Sequence, residues 1–171
     1  APFRILLPRE KGHKYSVEHR DGLFYIRTNK NAKNFRVVTA PVSDPGPASW
    51  KDFLPHRPAV LVEDFELFAN HAVSHEQSQA LNRFRVFTFA TGTWRDVTFP
   101  EPVYSAFGAG TPEFTSKKLR ISYQSMVTPP TVYDYDLDTL DRTLLKRQEV
   151  LGGYDPAGYA TERLWAGARD G

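Results

Sequence analysis

The chain has 171 residues, of which 40% are hydrophobic and 25% charged, so it suits one ordinary domain rather than a disordered or fibrous chain. A formal net charge of only +2 gives no electrostatic argument for nucleic acid or an anionic membrane as a partner. The lack of cysteine excludes a disulfide framework and thiolate chemistry, and favours a reducing compartment.

The two ends of the chain predict a piece of a longer protein. The opening "APFRILLPRE" lacks the apolar core of a signal peptide, and its apolar run at residues 5–7 is far too short to span a bilayer. There is no initiator methionine, and the closing "ERLWAGARDG" resembles the start of an element. The alternative explanation for these two ends is that the chain was trimmed or lost a tag.

The first predicted elements are β-strands. "YSVEH", "LFYIRT" and "FRVVTA" are rich in β-branched and aromatic residues and are separated by turn-forming residues. Asp21-Gly22 predicts a type I′ hairpin, since both positions need a positive φ. A first unit therefore has predicted strands near 14–20, 22–28, 35–40 and 50–54. "FRILLPR" at 3–9 resembles the fourth strand of an earlier unit.

Two further units follow along the chain. The second has predicted strands near 59–65, 71–77, 84–89 and 94–99. Within it, "HEQSQALNRF" predicts a strand end followed by a loop. The third has predicted strands near 103–107, 118–125, 131–137 and 142–148.

The units repeat at an interval of about 48 residues. "NHAVSHEQ" at 70–77 aligns with "KLRISYQS" at 118–125, and "FRVVTAP" at 35–41 with "FRVFTFA" at 84–90. Four antiparallel strands repeated at this interval indicate a β-propeller, whose stacked sheets cover one another's faces. A β-sandwich is the rival fold. The fold class predicted is all-β, a propeller fragment of about three blades.

The predicted boundaries follow from these repeats. In chain order they are a preceding blade's last strand at 1–9, blades at 10–56, 57–101 and 102–151, and a linker at 152–171.

Asp134, Asp136 and Asp138 have the spacing that opens a calcium loop. An EF-hand loop needs glycine at its sixth position and glutamate at its twelfth, where this chain has Thr139 and Leu145. Alternate residues of a strand share a face, so Asp134 and Asp136 are expected on the wet side of a half-exposed strand. The acids are predicted to bind no metal.

His71 and His75 are the next candidates. On a strand they would share a face about 13 Å apart, too far to chelate one ion. "HEQSQ" also lacks the second histidine of a zinc-protease motif, because its fifth residue is Gln79. Both histidines are therefore expected to face solvent.

Nucleophilic catalysis has no support in the sequence. No serine has glycine at both flanking positions, as a strained nucleophile elbow would require. The glycines at 108–110 lack a following Gly-Lys-Ser/Thr, so a strand-connecting loop is expected there rather than a phosphate loop. Trp50 and Trp94, each followed by a basic residue and aspartate, are expected to pack beside a turn-forming ion pair. No catalytic, cofactor-binding or metal residue is assigned.

The final 60 residues resemble a known family. "LRISYQSMVTPPTVYDYDLDTLDRTLLKRQEV" resembles the last propeller blade of the oligopeptidase B branch of the prolyl oligopeptidase family of serine peptidases. The shared features are Tyr123-Gln124-Ser125, the Thr128-Pro129 step and a hydrophobic-acid strand; Pro130 is an extra proline. "GYDPAGYATERLWAGARDG" at 153–171 is similar to the family's crossing into its catalytic domain, and 54–77 to the preceding blade.

The resemblance implies a seven-bladed propeller that caps an α/β-hydrolase domain in a cytoplasmic peptidase cleaving short peptides after Lys or Arg. The Ser-Asp-His triad and the acidic residues for a basic substrate would lie beyond Gly171, so the fragment alone is expected to be inactive. Residues 152–165 would form the hinge. Expected partners are the hydrolase domain, the remaining blades and, for the whole protein, short basic peptides. The fragment is expected to self-associate, and no cofactor is expected. A stand-alone kelch-like binding propeller is the alternative function.

Overall fold

The computed structural model describes residues 5–169, and these form β-strands joined by turns. The part of the chain described contains no α-helix, only two short 3₁₀ turns at Pro47–Ser49 and Pro156–Gly158. The strands are β1 (Tyr15–Arg20), β2 (Leu23–Thr28), β3 (Arg36–Pro41), β4 (Lys51–Leu54), β5 (Leu61–Leu67), β6 (His71–Ser78), β7 (Leu81–Thr88), β8 (Thr93–Asp96), β9 (Ser105–Gly108), β10 (Lys118–Gln124), β11 (Thr131–Asp136) and β12 (Arg142–Arg147).

The strands form three four-stranded antiparallel sheets, each built from four consecutive strands in chain order. The first sheet is β1-β2-β3-β4, the second β5-β6-β7-β8 and the third β9-β10-β11-β12. This is the arrangement of propeller blades, and it confirms the predicted all-β propeller fragment over the sandwich alternative. The predicted strands coincide with the observed ones to within a few residues.

The first compact unit extends to Asp96 and includes the short segment Glu113–Ser116. In it, one face of the first sheet packs against the second sheet. The shared core consists of Tyr25, Val37 and Leu54 from the first sheet and Val62, Phe65, Leu67 and Ala72 from the second. Burial of such apolar surface is the main force that stacks the sheets.

Polar contacts also join the first two sheets. Arg27 Nε donates to the Val62 carbonyl at 2.9 Å, and Arg20 Nε donates to the Ala69 carbonyl at the same distance. The two guanidinium groups lie over the rings of Phe35 and Phe89, 3.8 Å from each centroid. Each arginine therefore supplies both a directional bond and a cation–π contact.

The second compact unit comprises Val97–Pro112 and the chain from Lys117 onward, and it holds the third sheet. Leu119, Ile121 and Leu137 are fully buried in it. Its aromatic cluster contains Phe99, Tyr104, Tyr123, Tyr133 and Tyr135. By contrast, every residue from 141 to 160 is exposed, including all of β12.

Two-residue turns join the first two strands of the first sheet and the central strands of the second. Asp21 and Gly22 have φ of 50° and 74°, which confirms the predicted hairpin. The loop expected after "HEQS" is wrong: Gln79 and Ala80 have φ of 51° and 60°, and the ladder continues to the Ser78–Leu81 pair. The added ladder bonds hold two non-glycine residues in a conformation that they otherwise disfavour.

The N-terminal strand expected at 3–9 is not seen in residues 5–9, and residues 1–4 lie outside the described part of the chain. A fourth strand needs a sheet to pair with, and the first described sheet starts only at β1. β8 also ends at Asp96, earlier than expected, and β9 begins at Ser105. The blade boundaries stay predictions.

Residues 5–169 contain no helix with the length and hydrophobicity needed to cross a membrane.

Candidate docking cleft at the end of the third sheet

The three alternating aspartates have three separate partners. Asp134 is buried, which corrects the expectation of a wet strand face: the Arg120 guanidinium on β10 holds it through two bonds of 2.8 and 3.1 Å. Those hydrogen bonds lower the pKa of Asp134. Asp136 accepts the backbone N–H groups of residues 138 and 139, and Asp138 pairs with Lys117 at 3.1 Å. That the acids bind no metal stays a prediction.

Neither strand histidine is exposed, so the expectation that they face solvent is wrong: His71 is buried and His75 is half-buried. His71 is 1% exposed. His75 lies 2.7 Å from Glu66 and packs edge-on against Phe84, 4.7 Å between ring centroids. On the central strand β6, His75 is covered by the side chains of Glu66 from β5 and Phe84 from β7. Sequence alternation alone did not reveal that both faces are covered.

A hydroxyl–imidazole pair occurs in the first sheet. His13 Nε2 and Thr28 Oγ1 lie 2.7 Å apart, and the same hydroxyl accepts the N–H of Lys30. Thr28 is fully buried, so no substrate carbonyl can reach its oxygen. The pair organises a turn, and it does not meet the geometric requirement for an activated nucleophile. The absence of catalytic residues from the chain stays a prediction.

Trp50 and Trp94 pack against apolar clusters of the first compact unit, as expected. The aspartates near them, however, pair across strands rather than within a turn: Asp52 contacts Arg36 at 3.1 Å, and Asp96 contacts Arg85 at 3.5 Å.

The glycine-containing loop at residues 108–110 starts at the end of β9. The Ala109 N–H donates to the Arg120 carbonyl at 2.9 Å, which ties the loop to β10.

A concave surface lies in the second compact unit, between the β10–β11 turn and the chain that follows β12. Its volume is about 370 Å³, and we call it the turn–linker cleft. It is lined by residues 125–130, residues 148–150, Tyr154 and Tyr159.

Side-chain hydroxyls and prolines shape the turn that forms one wall. The Ser125 hydroxyl accepts the N–H groups of Val127 and Thr128 at 3.0 and 2.7 Å, and the Ser125 N–H donates to the Thr128 carbonyl at 3.0 Å. Pro129 and Pro130 have no N–H to donate. Their carbonyls instead accept the Thr131 hydroxyl at 2.6 Å and the Gln148 N–H at 2.9 Å.

The segment after β12 forms the opposite wall. The Tyr154 hydroxyl donates to the Val127 carbonyl at 3.0 Å, which bridges the two walls. Asp155 caps the 3₁₀ turn Pro156–Gly158 by accepting the Ala157 N–H at 3.0 Å. Tyr154 and Tyr159, on either side of that turn, have ring centroids 6.4 Å apart.

Large exposed apolar side chains lie in the cleft walls and in the chain that follows them. Met126 and Leu151 are about nine-tenths exposed. Others on or after the two walls are Val150, Tyr159, Leu164 and Trp165. Exposed apolar surface of this kind, beside a concave and largely apolar lining, suits docking of another protein surface rather than bond-making chemistry.

Sequence reasoning missed two residues of this region, Glu101 and Tyr154. The Glu101 carboxylate accepts the hydroxyls of Tyr123, Ser125 and Thr128. The sequence contains Tyr123, Ser125 and Thr128 in one stretch, but their acceptor lies 22 to 27 residues earlier. No sequence pattern links an isolated glutamate to hydroxyl residues at that distance, so the sequence does not predict that Glu101 contacts them.

Comparison with known proteins identifies a family over most of the chain. The prolyl oligopeptidase N-terminal β-propeller domain matches residues 1–148. Dipeptidyl aminopeptidase BI of Pseudoxanthomonas mexicana is 43% identical over 170 residues, covering 99% of this chain and 23% of that protein. Protease 2 of Moraxella lacunata is 24% identical over 171 residues, covering 100% of this chain and 24% of that protein.

Solved structures show the same fold. Oligopeptidase B from Trypanosoma brucei, in a closed form with covalently bound antipain, aligns with a TM-score of 0.85 and 30% identity over 97% of this chain and 25% of that one. Oligopeptidase B from Leishmania major aligns with a TM-score of 0.84 and 29% identity, over 96% of this chain and 24% of that one. The chain spans about a quarter of the length of these relatives.

Proposed function

The chain belongs to the prolyl oligopeptidase family, as its N-terminal β-propeller domain, and on that basis we propose that it is the non-catalytic part of a serine oligopeptidase. The catalytic Ser, Asp and His would then lie in a hydrolase domain of the same longer chain. The relatives are about four times longer than this chain, which leaves room for such a domain. The family match supports this role over a stand-alone binding propeller.

The observation that carries the proposal is the exposed apolar surface of the chain that follows the turn–linker cleft. Leu151, Leu164 and Trp165 are each at least 73% exposed. Covering them with a hydrolase domain would stabilise the pair by roughly 25 cal/mol for each Å² of apolar surface removed from water. We therefore propose residues 152–165 as the hinge, with the docking surface on the turn–linker cleft and the chain after it.

We propose that the complete propeller caps the active site and admits only short peptides. The blades at 10–56, 57–101 and 102–151 would be three of seven, with 1–9 closing a preceding blade and 152–171 leading into the hydrolase domain. A closed ring over a catalytic cleft excludes folded proteins by size. That restriction explains why such a peptidase would need a large domain without catalytic groups.

For the substrate, we propose cleavage after Lys or Arg. The supporting likeness is to oligopeptidase B structures at about 30% identity. A second candidate is removal of dipeptides from peptide N-termini, because the 43% identical relative is named a dipeptidyl aminopeptidase. These two activities differ in whether the substrate needs a free amino terminus.

Blocked and unblocked substrates separate the candidates. The full-length gene product would be assayed with an N-blocked arginyl chromogenic peptide and with an unblocked dipeptide analogue of the same leaving group. Turnover of the blocked peptide supports cleavage after Lys or Arg, and turnover of the unblocked one alone supports dipeptide release. No turnover of any peptide would overturn the peptidase proposal. The 171-residue chain alone is expected to show none.

We also propose a cytoplasmic location, supported by the lack of cysteine. Cell fractionation with the full-length protein in the membrane or extracellular fraction would contradict it.

A further inference from the structure

Glu101 collects three hydroxyl groups on one carboxylate. Tyr123 and Thr128 donate hydrogen bonds to its Oε2 and Oε1 atoms, and Ser125 donates to Oε1 at 3.1 Å. Hydrogen bonds to an ionised acceptor are roughly twice as strong as those between neutral groups. Glu101 precedes β9, so this contact ties the first strand of the third sheet to the turn between β10 and β11.

The direction of each hydrogen bond in this network, from donor to acceptor, explains the conformation of the β10–β11 turn. An ionised carboxylate can only accept hydrogen bonds, so the Ser125 hydroxyl must direct its single proton to Glu101. Both oxygen lone pairs of Ser125 then remain for the N–H groups of Val127 and Thr128, which they accept at 3.0 and 2.7 Å. A glutamine at position 101 would keep one acceptor oxygen but replace the other by an N–H donor, so it could no longer accept all three hydroxyls, and the remaining bonds would lose their charge assistance.

The β10–β11 turn also binds the segment after β12, through two of its backbone carbonyls. The Val127 carbonyl accepts the Tyr154 hydroxyl at 3.0 Å, and the Pro130 carbonyl accepts the Gln148 N–H at 2.9 Å. Both carbonyls belong to the turn whose conformation Ser125 stabilises. The position of Tyr154 therefore depends on Glu101 through an unbroken chain of hydrogen bonds.

We infer that Glu101 is a positioning residue: its carboxylate locks the β10–β11 turn and thereby sets the direction in which the chain leaves the third sheet. The consequence for domain motion rests on the proposed function. If residues 152–165 form the hinge to a hydrolase domain, loss of the Glu101 hydrogen bonds makes the start of that hinge more mobile. This changes how readily the two domains move apart. Glu101 touches no reacting atom in this role.

Hydrogen exchange tests the lock itself. In the full-length gene product, Glu101→Gln is compared with wild type and with Glu113→Gln, which makes the same change at an exposed residue. The Val127 and Thr128 amides should exchange about tenfold faster in Glu101→Gln, the change that loss of one charge-assisted hydrogen bond implies. Exchange at β6 should be unchanged, since it belongs to the other compact unit.

Ser125→Ala provides a second route to the same result. It removes the hydroxyl between Glu101 and the two amides, so it should speed their exchange by a similar factor. Adding Glu101→Gln to it should produce little further change, because both substitutions interrupt one chain of bonds. Fully additive effects, or unchanged exchange at residues 127 and 128 in either single variant, would overturn the inference.

Enzyme kinetics then address the hinge. With a dipeptide-sized and a ten-residue substrate, Glu101→Gln should change KM for the longer one at least threefold and leave kcat for the shorter one unchanged. Equal effects on both substrates would refute the link to domain opening. A wild-type protein with no turnover would refute the proposed function instead, while the exchange result would still decide the lock.

Discussion

The Tyr154 hydroxyl donates to the Val127 carbonyl at 3.0 Å, and this bond joins two segments that are 27 residues apart in the chain. Val127 lies in a turn held by the side chains of Glu101 and Ser125. Tyr154 lies in the stretch from 141 to 160, whose residues are all exposed. The contact therefore fixes an exposed connecting segment to an ordered sheet end, where a hinge would need its fixed point.

Tyr154→Phe should free the connecting segment without unfolding the sheet. The lost bond is a neutral one to a carbonyl that water can reach, so the free energy of unfolding should fall by no more than about 1 kcal/mol. Amides at 151–160 should exchange faster, as measured by hydrogen exchange with mass spectrometry. Tyr159→Phe is the matched control in the same cleft. Similar exchange in both variants would show that the Tyr154 hydroxyl does not anchor the segment.

Ala80→Gly should stabilise the second sheet. Ala80 has a φ of 60°, where a side chain costs roughly 1–2 kcal/mol relative to the right-handed region, while glycine is tolerated. Glycine also gains freedom in the unfolded chain, so the net gain expected in chemical denaturation is about 1 kcal/mol. Ala109→Gly, at a position without positive φ, should instead destabilise. A loss of stability in Ala80→Gly would contradict the turn assignment.

Glu18 should make the protein less stable as the pH rises. Desolvation first, and then the like charges of Asp64 and Glu66, raise the pKa of this carboxyl above 4.5, although Glu18 lies at an exposed position of β1. The folded state thus holds the proton more tightly, and its stabilising contribution is complete below 4.5 and lost as pH rises through the folded pKa. Glu18→Gln should therefore raise the melting temperature at pH 7.

The same comparison at low pH is the control. Well below pH 4.5 the Glu18 carboxyl is protonated in both states, so wild type and Glu18→Gln should melt at nearly the same temperature at pH 3. An advantage of the variant that stays constant between pH 3 and pH 7 would show that Glu18 does not titrate as expected.

Arg120→Met should have the opposite pH dependence. The lowered pKa of Asp134 means that its pairing with Arg120 contributes stability above 3.8, which is lost as pH falls through the folded pKa. The variant should therefore be clearly less stable than wild type at pH 7, because it leaves a buried carboxylate unpaired. The difference should shrink below pH 3.8. Denaturation by urea at a series of pH values measures this.

Lys117→Met is the control for the third-sheet ion pair. Lys117 pairs with Asp138, and both side chains are largely exposed, so its removal should cost less than about 0.5 kcal/mol at any pH. An effect as large as that of Arg120→Met would mean that burial of Asp134 does not set the difference.

The isolated chain should self-associate through the third sheet. β12 is an edge strand, and its Leu144 and Leu145 are about half exposed. Unpaired edges and exposed apolar faces promote association between copies. Sedimentation should show a monomer–oligomer equilibrium that Leu144→Glu weakens, while Thr98→Glu, at an exposed position of the same unit, leaves it intact. A concentration-independent monomer would reject the prediction.

Several features were predictable because they depend on neighbours in the chain. Asp21-Gly22 forms the expected hairpin since its φ preferences are intrinsic. Features that depend on distant residues were not. The expectation of solvent-facing His71 and His75 failed because both faces of β6 are covered, at His75 by the side chains of Glu66 and Phe84. The wet-side expectation for Asp134 failed because Arg120, from a neighbouring strand, covers it.

The amino-acid sequence by itself determined the strand order, the 48-residue repeat and the family, since local conformational preference and recurring composition are written along the chain. Only the tertiary structure decided which polar groups share a site: Glu101 with its three hydroxyls, and Tyr154 with the Val127 carbonyl. The physical reason is that a hydrogen bond needs its two atoms within about 3 Å. Separation along the chain does not indicate which distant residues the folded sheet brings that close.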